Sequence, residues 1–172
     1  MIEAVLPFLL LAQGVMGGVD TLVSHELLAR LPHRPEAHSE IGLHVVREAI
    51  WATLFIGLAW FAWHGAAAWI IAALLALEIL ITACDEFIEN RIRVLPQNER
   101  VLHLFLALNV GLLVAVLAPL VLAWSREPTA LVRRDHGLLP WLISALGAAA
   151  AFWSVRDLFA WRRLRRASVA AT

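Results

Sequence analysis

Between positions 78 and 103 the chain carries a dense run of groups able to bind cations: Glu78, Asp85, Glu86, Glu89, Glu99 and His103. On a helix turning roughly 100° per residue, Glu78, Asp85 and Glu89 fall within about 40° of one another. After a turn at Leu95-Pro96, Glu99 and His103 share a face through their i,i+4 spacing. A carboxylate stripe on one helix therefore faces a Glu-x-x-x-His pair on the next. Glu86 points about 80° away from the stripe and reads as a surface group or an arginine partner. The flanking sequence is apolar enough to be membrane helix. Acidic groups are costly in hydrocarbon, so carboxylates there mark a functional site.

The elements that position these groups follow from composition. The 172 residues are 61% hydrophobic and 16% charged, well below the charged share of about 25% in a soluble domain, which predicts an all-α integral membrane protein. The single cysteine, Cys84, excludes an internal disulfide and a cysteine-based zinc cluster. With no tyrosine present, a tyrosyl radical cannot take part in the chemistry. The N-terminus lacks a basic start and a small-residue cleavage pattern, so the first apolar segment is expected to be retained.

Five segments approach the ~20 residues needed to cross a hydrocarbon core of about 30 Å: about 4–24, 44–63, 66–84, 101–124 and 138–155. The first is followed by a polar stretch, 25–40, broken by Pro32 and Pro35. His64-Gly65 reads as a tight turn, the third segment continues as a polar helix to about Val94, and residues 125–137 read as a loop. The whole of 1–166 reads as one membrane domain, with a basic amphipathic tail at 156–166 lying along the inner leaflet and a disordered end at 167–172. All fourteen basic residues are arginine. Arginines 30, 34, 47, 91, 93, 100, 156, 162, 163, 165 and 166 fall at one side of the five spans, and Arg126, Arg133 and Arg134 at the other. The positive-inside rule then predicts an inner, cytoplasmic-type membrane with the N-terminus outside and the C-terminus inside. Trp60, Trp63, Trp69, Trp124 and Trp141 would form the outer aromatic belt.

The stretch has a counterpart earlier in the chain. Shifted by 65 positions, Gln13 falls on Glu78, Asp20 on Asp85 and Ser24 on Glu89; each polar stretch then contains Leu-Pro and opens the next helix with Glu-x-x-Leu-His, at Glu40–His44 and Glu99–His103. The reading is an internal two-helix repeat with halves of about 4–63 and 66–124. Both hairpins turn on the cytoplasmic side, so four antiparallel helices present their polar ends at one depth. The fifth helix has no counterpart and is expected to pack outside this bundle. Candidate metal ligands are Asp20, Glu40, His44, Glu48, Asp85, Glu89, Glu99 and His103. Glu48 and Glu78 lie deeper and are candidates for supporting or proton-transfer roles. Ser39 and Asn98 could cap the second and fourth helices, with Glu40 and Glu99 placed to meet the helix dipole. His25 and Glu26 could replace Asp20 if the helix unwinds there. His33 and His38 read as solvated loop groups with a lid or metal-uptake role as the alternative, and His64 and His136 lie on the opposite side. Arg47, Arg91 and Arg100 are placed to neutralise part of the acidic charge.

Over roughly residues 13–110 this constellation resembles the ferritin-like di-iron carboxylate proteins, in which one helix of each pair gives a carboxylate and the other a Glu-x-x-His. The resemblance is one of constellation, not of sequence. The pairs here are Glu-x-x-x-His, aspartates stand at 20 and 85, and the bundle lies in a membrane. It implies two divalent metal ions, iron foremost with zinc or manganese as substitutes, and oxygen-dependent oxidation of a lipidic or quinone-like substrate. A di-zinc hydrolase would use the same ligands. Three other readings fit the same residues: a metal-ion or proton transporter, a b-type haem subunit with His44 and His103 as axial ligands, and a non-catalytic subunit held by an arginine–carboxylate network. No nucleic-acid partner is expected.

Overall fold

The computed structural model describes residues 2–134 and 137–170; the expectation for His136 lies outside them. Among these residues the chain forms five long helices: α1 (Ile2–Val19), α2 (His38–Trp60), α3 (Ala68–Ile92), α4 (Gln97–Trp124) and α5 (Leu139–Ala170). All five are long and apolar enough to cross a membrane. Helix α1 does not stop at Val19. It widens into a π-helical segment, Asp20–Ala29, which closes when the Arg30 N–H donates to His25 O. Arg30 is left-handed (φ 52°, ψ 43°), a conformation costly for a residue with a side chain, and Pro32 follows to block any continuation.

The helices pack as a closed ring: α1 on α4, α4 on α3, α3 on α2, α2 on α5, and α5 back on α1. Contacts at matched registers make the first four neighbours antiparallel. Asn109 Nδ2 donates to Gln13 Oε1 at 2.8 Å between α4 and α1, and Ser154 Oγ donates to Val45 O at 2.8 Å between α5 and α2.

Helix α5 is therefore not peripheral, as its lack of a counterpart suggested. It stands between α1 and α2, because small residues let the backbones approach. A Cβ at Gly147 would lie 2.8 Å from Ile56 Cγ1, one at Gly42 would lie 2.9 Å from the Trp161 ring, and one at Gly14 would meet Leu146 at 2.6 Å. The segment 156–166 and the residues after it, as far as 170, continue the same helix. One helix runs unbroken through Ala170, while Thr172 and Ala171 lie outside the described residues.

The apolar core, including Leu6, Leu10, Leu54, Phe55, Ile71, Leu113, Leu117 and Ile143, fills one part of the ring. A smaller cluster (Leu31, Ala37, Ile41, Ala160, Leu164) packs under the segment between α1 and α2. At the far end, two short strands replace the expected plain turn and loop. Strand β1 (Phe61–Trp63) pairs antiparallel with β2 (Leu131–Arg133), tying the α2–α3 hairpin to the α4–α5 connection. Gly65 sits there at φ +60°, and a Cβ added to it would lie 2.6 Å from the Thr129 backbone, so a side chain has no room.

Gly147→Val pushes a branched side chain into Phe55 and Ile56 and is expected to lower stability by about 1–3 kcal/mol. Gly111→Ala adds a Cβ that meets nothing within 4 Å and is expected to be neutral or mildly stabilising. Thermal unfolding of the two variants in detergent makes the comparison.

Candidate metal centre

Four helices deliver acidic and imidazole side chains to one depth. The π-helical segment matters most. In a π-helix, residues five apart are hydrogen-bonded neighbours along the axis, so Asp20 and His25 come to one face. Their side chains approach with His25 Nε2 at 3.5 Å from Asp20 Oδ2. Regular α-helix would leave them about 140° apart.

Two groups of four result, each offering ligand atoms within 4.8 Å of one another: Asp20, His25, Glu99 and His103, and His25, Glu40, His44 and Glu89. Each takes one Glu-x-x-x-His pair, and His25 belongs to both. The His25 and His44 rings stack with centroids 4.5 Å apart, and His103 stands edge-on to His25 at 6.5 Å. Hydrogen bonds cross between the halves of the chain: His103 Nε2 donates to Asp20 Oδ2 at 3.2 Å, and His44 Nε2 to Asp85 Oδ2 at 3.3 Å.

Buried carboxylates outnumber the guanidiniums at this level. Asp20, Glu40, Asp85, Glu89 and Glu99 are all at most 4% exposed. Two guanidiniums face them. Arg47 Nη1 lies 2.8 Å from Asp85 Oδ2. Arg93 donates through Nη2 to Glu99 Oε1 at 2.6 Å, Glu40 Oε1 at 3.1 Å and Glu89 Oε1 at 3.2 Å, and through Nη1 to Glu99 Oε2 at 2.8 Å. Arg93 reaches them because the helix ends in front of it. Its backbone is extended (φ −152°, ψ 160°), and Pro96 keeps Leu95 out of the helical region. Burial works against the Arg93 charge, but the Glu99 hydrogen bonds and the fields of Glu40, Glu99 and Glu89 outweigh it and hold its pKa above the ordinary arginine value. Asp20 Oδ1, Glu40 Oε2, Asp85 Oδ1, Glu89 Oε2 and His25 Nε2 are buried without a hydrogen-bond partner. A buried polar atom left in that state costs about 1–3 kcal/mol, more when charged. Lone pairs of carboxylate and imidazole converging in this way fit a divalent transition metal.

Of the expected ligands, Asp20, Glu40, His44, Glu89, Glu99 and His103 are brought into these groups. Asp85 stands beside them, its Oδ2 shared by His44 and Arg47. Glu48 is not brought into either group, although its Oε2 is also buried without a partner. Glu78 lies about two turns before Asp85 on α3 and accepts from Thr82 Oγ1 at 3.3 Å. Glu40 and Glu99 are not simple helix-end charges, since α2 and α4 carry no side-chain cap and both glutamates turn onto Arg93. Glu26 pairs outward with Arg156, and His33 is exposed. His25 joins Asp20 and does not replace it. Among the arginines, Arg47 is placed as expected, but Arg91 and Arg100 are exposed, and the central guanidinium comes from Arg93. The Leu95-Pro96 break was the available signal for that role. Comparison with protein-family models, curated proteins and solved structures finds no match to this chain.

Arg93→Gln leaves Glu40, Glu89 and Glu99 without their shared cation and is expected to cost about 3 kcal/mol of stability, partly restored by adding a divalent metal. Chemical unfolding with and without the metal measures both effects; an unchanged stability would show that the three carboxylates do not depend on Arg93.

Proposed function

We propose that this chain is a membrane-embedded protein that holds two divalent metal ions, iron foremost, and uses them with oxygen to oxidise a lipidic or quinone-like molecule. The observation that carries this reading is the pair of four-residue groups joined at His25, whose four buried carboxylates, with Asp85 beside them, converge with three imidazoles and two guanidiniums. In the proposed arrangement Asp20, Glu99 and His103 hold one ion, Glu40, His44 and Glu89 the other, and His25 stands between them. Asp85 fixes the ring of His44 from behind, as carboxylates do for metal-bound imidazoles. Two ions held by these residues would supply the redox equivalents and the Lewis acidity.

The protein's own contribution is a cavity of about 970 Å³ that adjoins the polar groups and continues between apolar walls, among them Trp51, Phe55, Leu106, Val110 and Val114. Its size and apolar lining suit a lipid tail or a quinone ring with part of its isoprenoid chain. Glu78 and Glu48, which also line it, are placed to hold and pass protons. The reading includes five spans with the N-terminus outside, the metal centre toward the cytoplasm, and a two-helix duplication. The crossed His103–Asp20 and His44–Asp85 pairs support that duplication.

The purified protein is expected to carry about two metal ions per chain. His25→Ala is expected to lose most of both, whereas His103→Ala is expected to lose chiefly one. Elemental analysis decides, and full metal retention in His25→Ala would overturn the shared-ligand arrangement. The rival reading, a structural arginine–carboxylate network, is favoured by the position of Arg93 and requires a metal content near zero with native stability.

A further inference from the structure

We infer that Glu86, Glu89 and His103 form an outer cation site through which divalent metal is loaded into the buried centre, with Glu89 handing the ion inward; this rests on the metal-binding reading above. These three residues offer ligand atoms within 4.8 Å of one another, and they grade from the surface inward: Glu86 is exposed, His103 half-buried and Glu89 buried.

The ring of His103 explains why this is a cation site and not simply an acidic surface. Its Nε2 donates to Asp20 Oδ2, so in the neutral ring Nδ1 carries the lone pair. Nδ1 faces Glu89 Oε2 at 3.6 Å, and that oxygen, on a residue 1% exposed, has no hydrogen-bond partner. With the ring neutral, two lone pairs face each other across a gap that a proton or a metal ion can fill, with the Glu86 carboxylate as the third donor. Asn90 Nδ2 donates to Glu86 Oε1 at 2.7 Å and holds that side chain in place, which leaves its other oxygen for an ion.

Shared residues supply the path. Glu89 belongs both to this outer site and to the group with His25, Glu40 and His44, while His103 belongs both to it and to the group with Asp20, His25 and Glu99. An ion can therefore move to either inner position without releasing every protein ligand at once. A neutral His103 cannot offer one lone pair to two ions, so the outer site is a waystation and is vacated as the inner position fills.

The test follows uptake of cobalt(II) by metal-free, detergent-purified full-length protein, read by its visible absorption, with the final content measured by elemental analysis. Glu86→Gln is expected to slow uptake by roughly tenfold and leave the final content unchanged. Glu86→Asp is expected to fall between, and Glu36→Gln, another exposed acid-to-amide change, to match the parent. Equal rates for parent and Glu86→Gln would overturn the inference, as would equal slowing by Glu36→Gln. A parent protein that takes up no cobalt would instead overturn the metal-binding reading itself.

Discussion

The structure depends on compensating negative charge that has been packed out of reach of water. Two like charges about 4 Å apart repel by roughly 4 kcal/mol at an effective dielectric constant of ~20, more than burying one leucine returns, about 1.5–3 kcal/mol. Asp20, Glu40, Asp85, Glu89 and Glu99 share one level of a narrow helical ring, so their charge has to be met by cations or by protons. Arg47 and Arg93 supply two. The unpartnered oxygens on four of those carboxylates could take up a metal ion or a proton.

That constraint organises the rest of the molecule. Apolar packing is concentrated beyond the polar level, where Leu54, Ile71, Leu113 and Ile143 interlock, and the β1–β2 pair fastens the end of the ring farthest from the charge. Along α1 the helix changes its winding at the point where it must present two polar side chains to the axis. The strained Arg30 and the prolines that follow then release the chain toward α2. The cavity adjoins the charged level and nowhere else meets so many polar groups, which places any molecule bound in its apolar part directly against the candidate centre.

Much of this was legible in the residue order. The helices, the turn positions, and the convergence of six of the eight candidate ligands follow from apolar segment length and from i,i+4 and i,i+7 spacing. What was not legible depends on geometry that spacing alone does not contain. His25 is five residues from Asp20, off the face on an α-helix and on it only when the turn widens. Arg93 looks like one more basic residue at a helix end until its own extended backbone, just before the Leu95-Pro96 break, turns its side chain inward. Helix α5 has no partner in the repeat, yet Gly42, Gly147 and Ser154 let it wedge between α1 and α2, an effect of close packing between distant segments. The three-residue strands are too short to carry a period.

Metal K-edge X-ray absorption on the iron-loaded protein addresses the central claim most directly, because it reports both the ligand atoms and the neighbouring metal. The expected result is a first shell of nitrogen and oxygen only, with imidazole scattering and a metal–metal distance of about 3.5–4 Å. A spectrum with no second metal, or iron removed by simple desalting, would contradict a two-metal centre built on His25, His44 and His103.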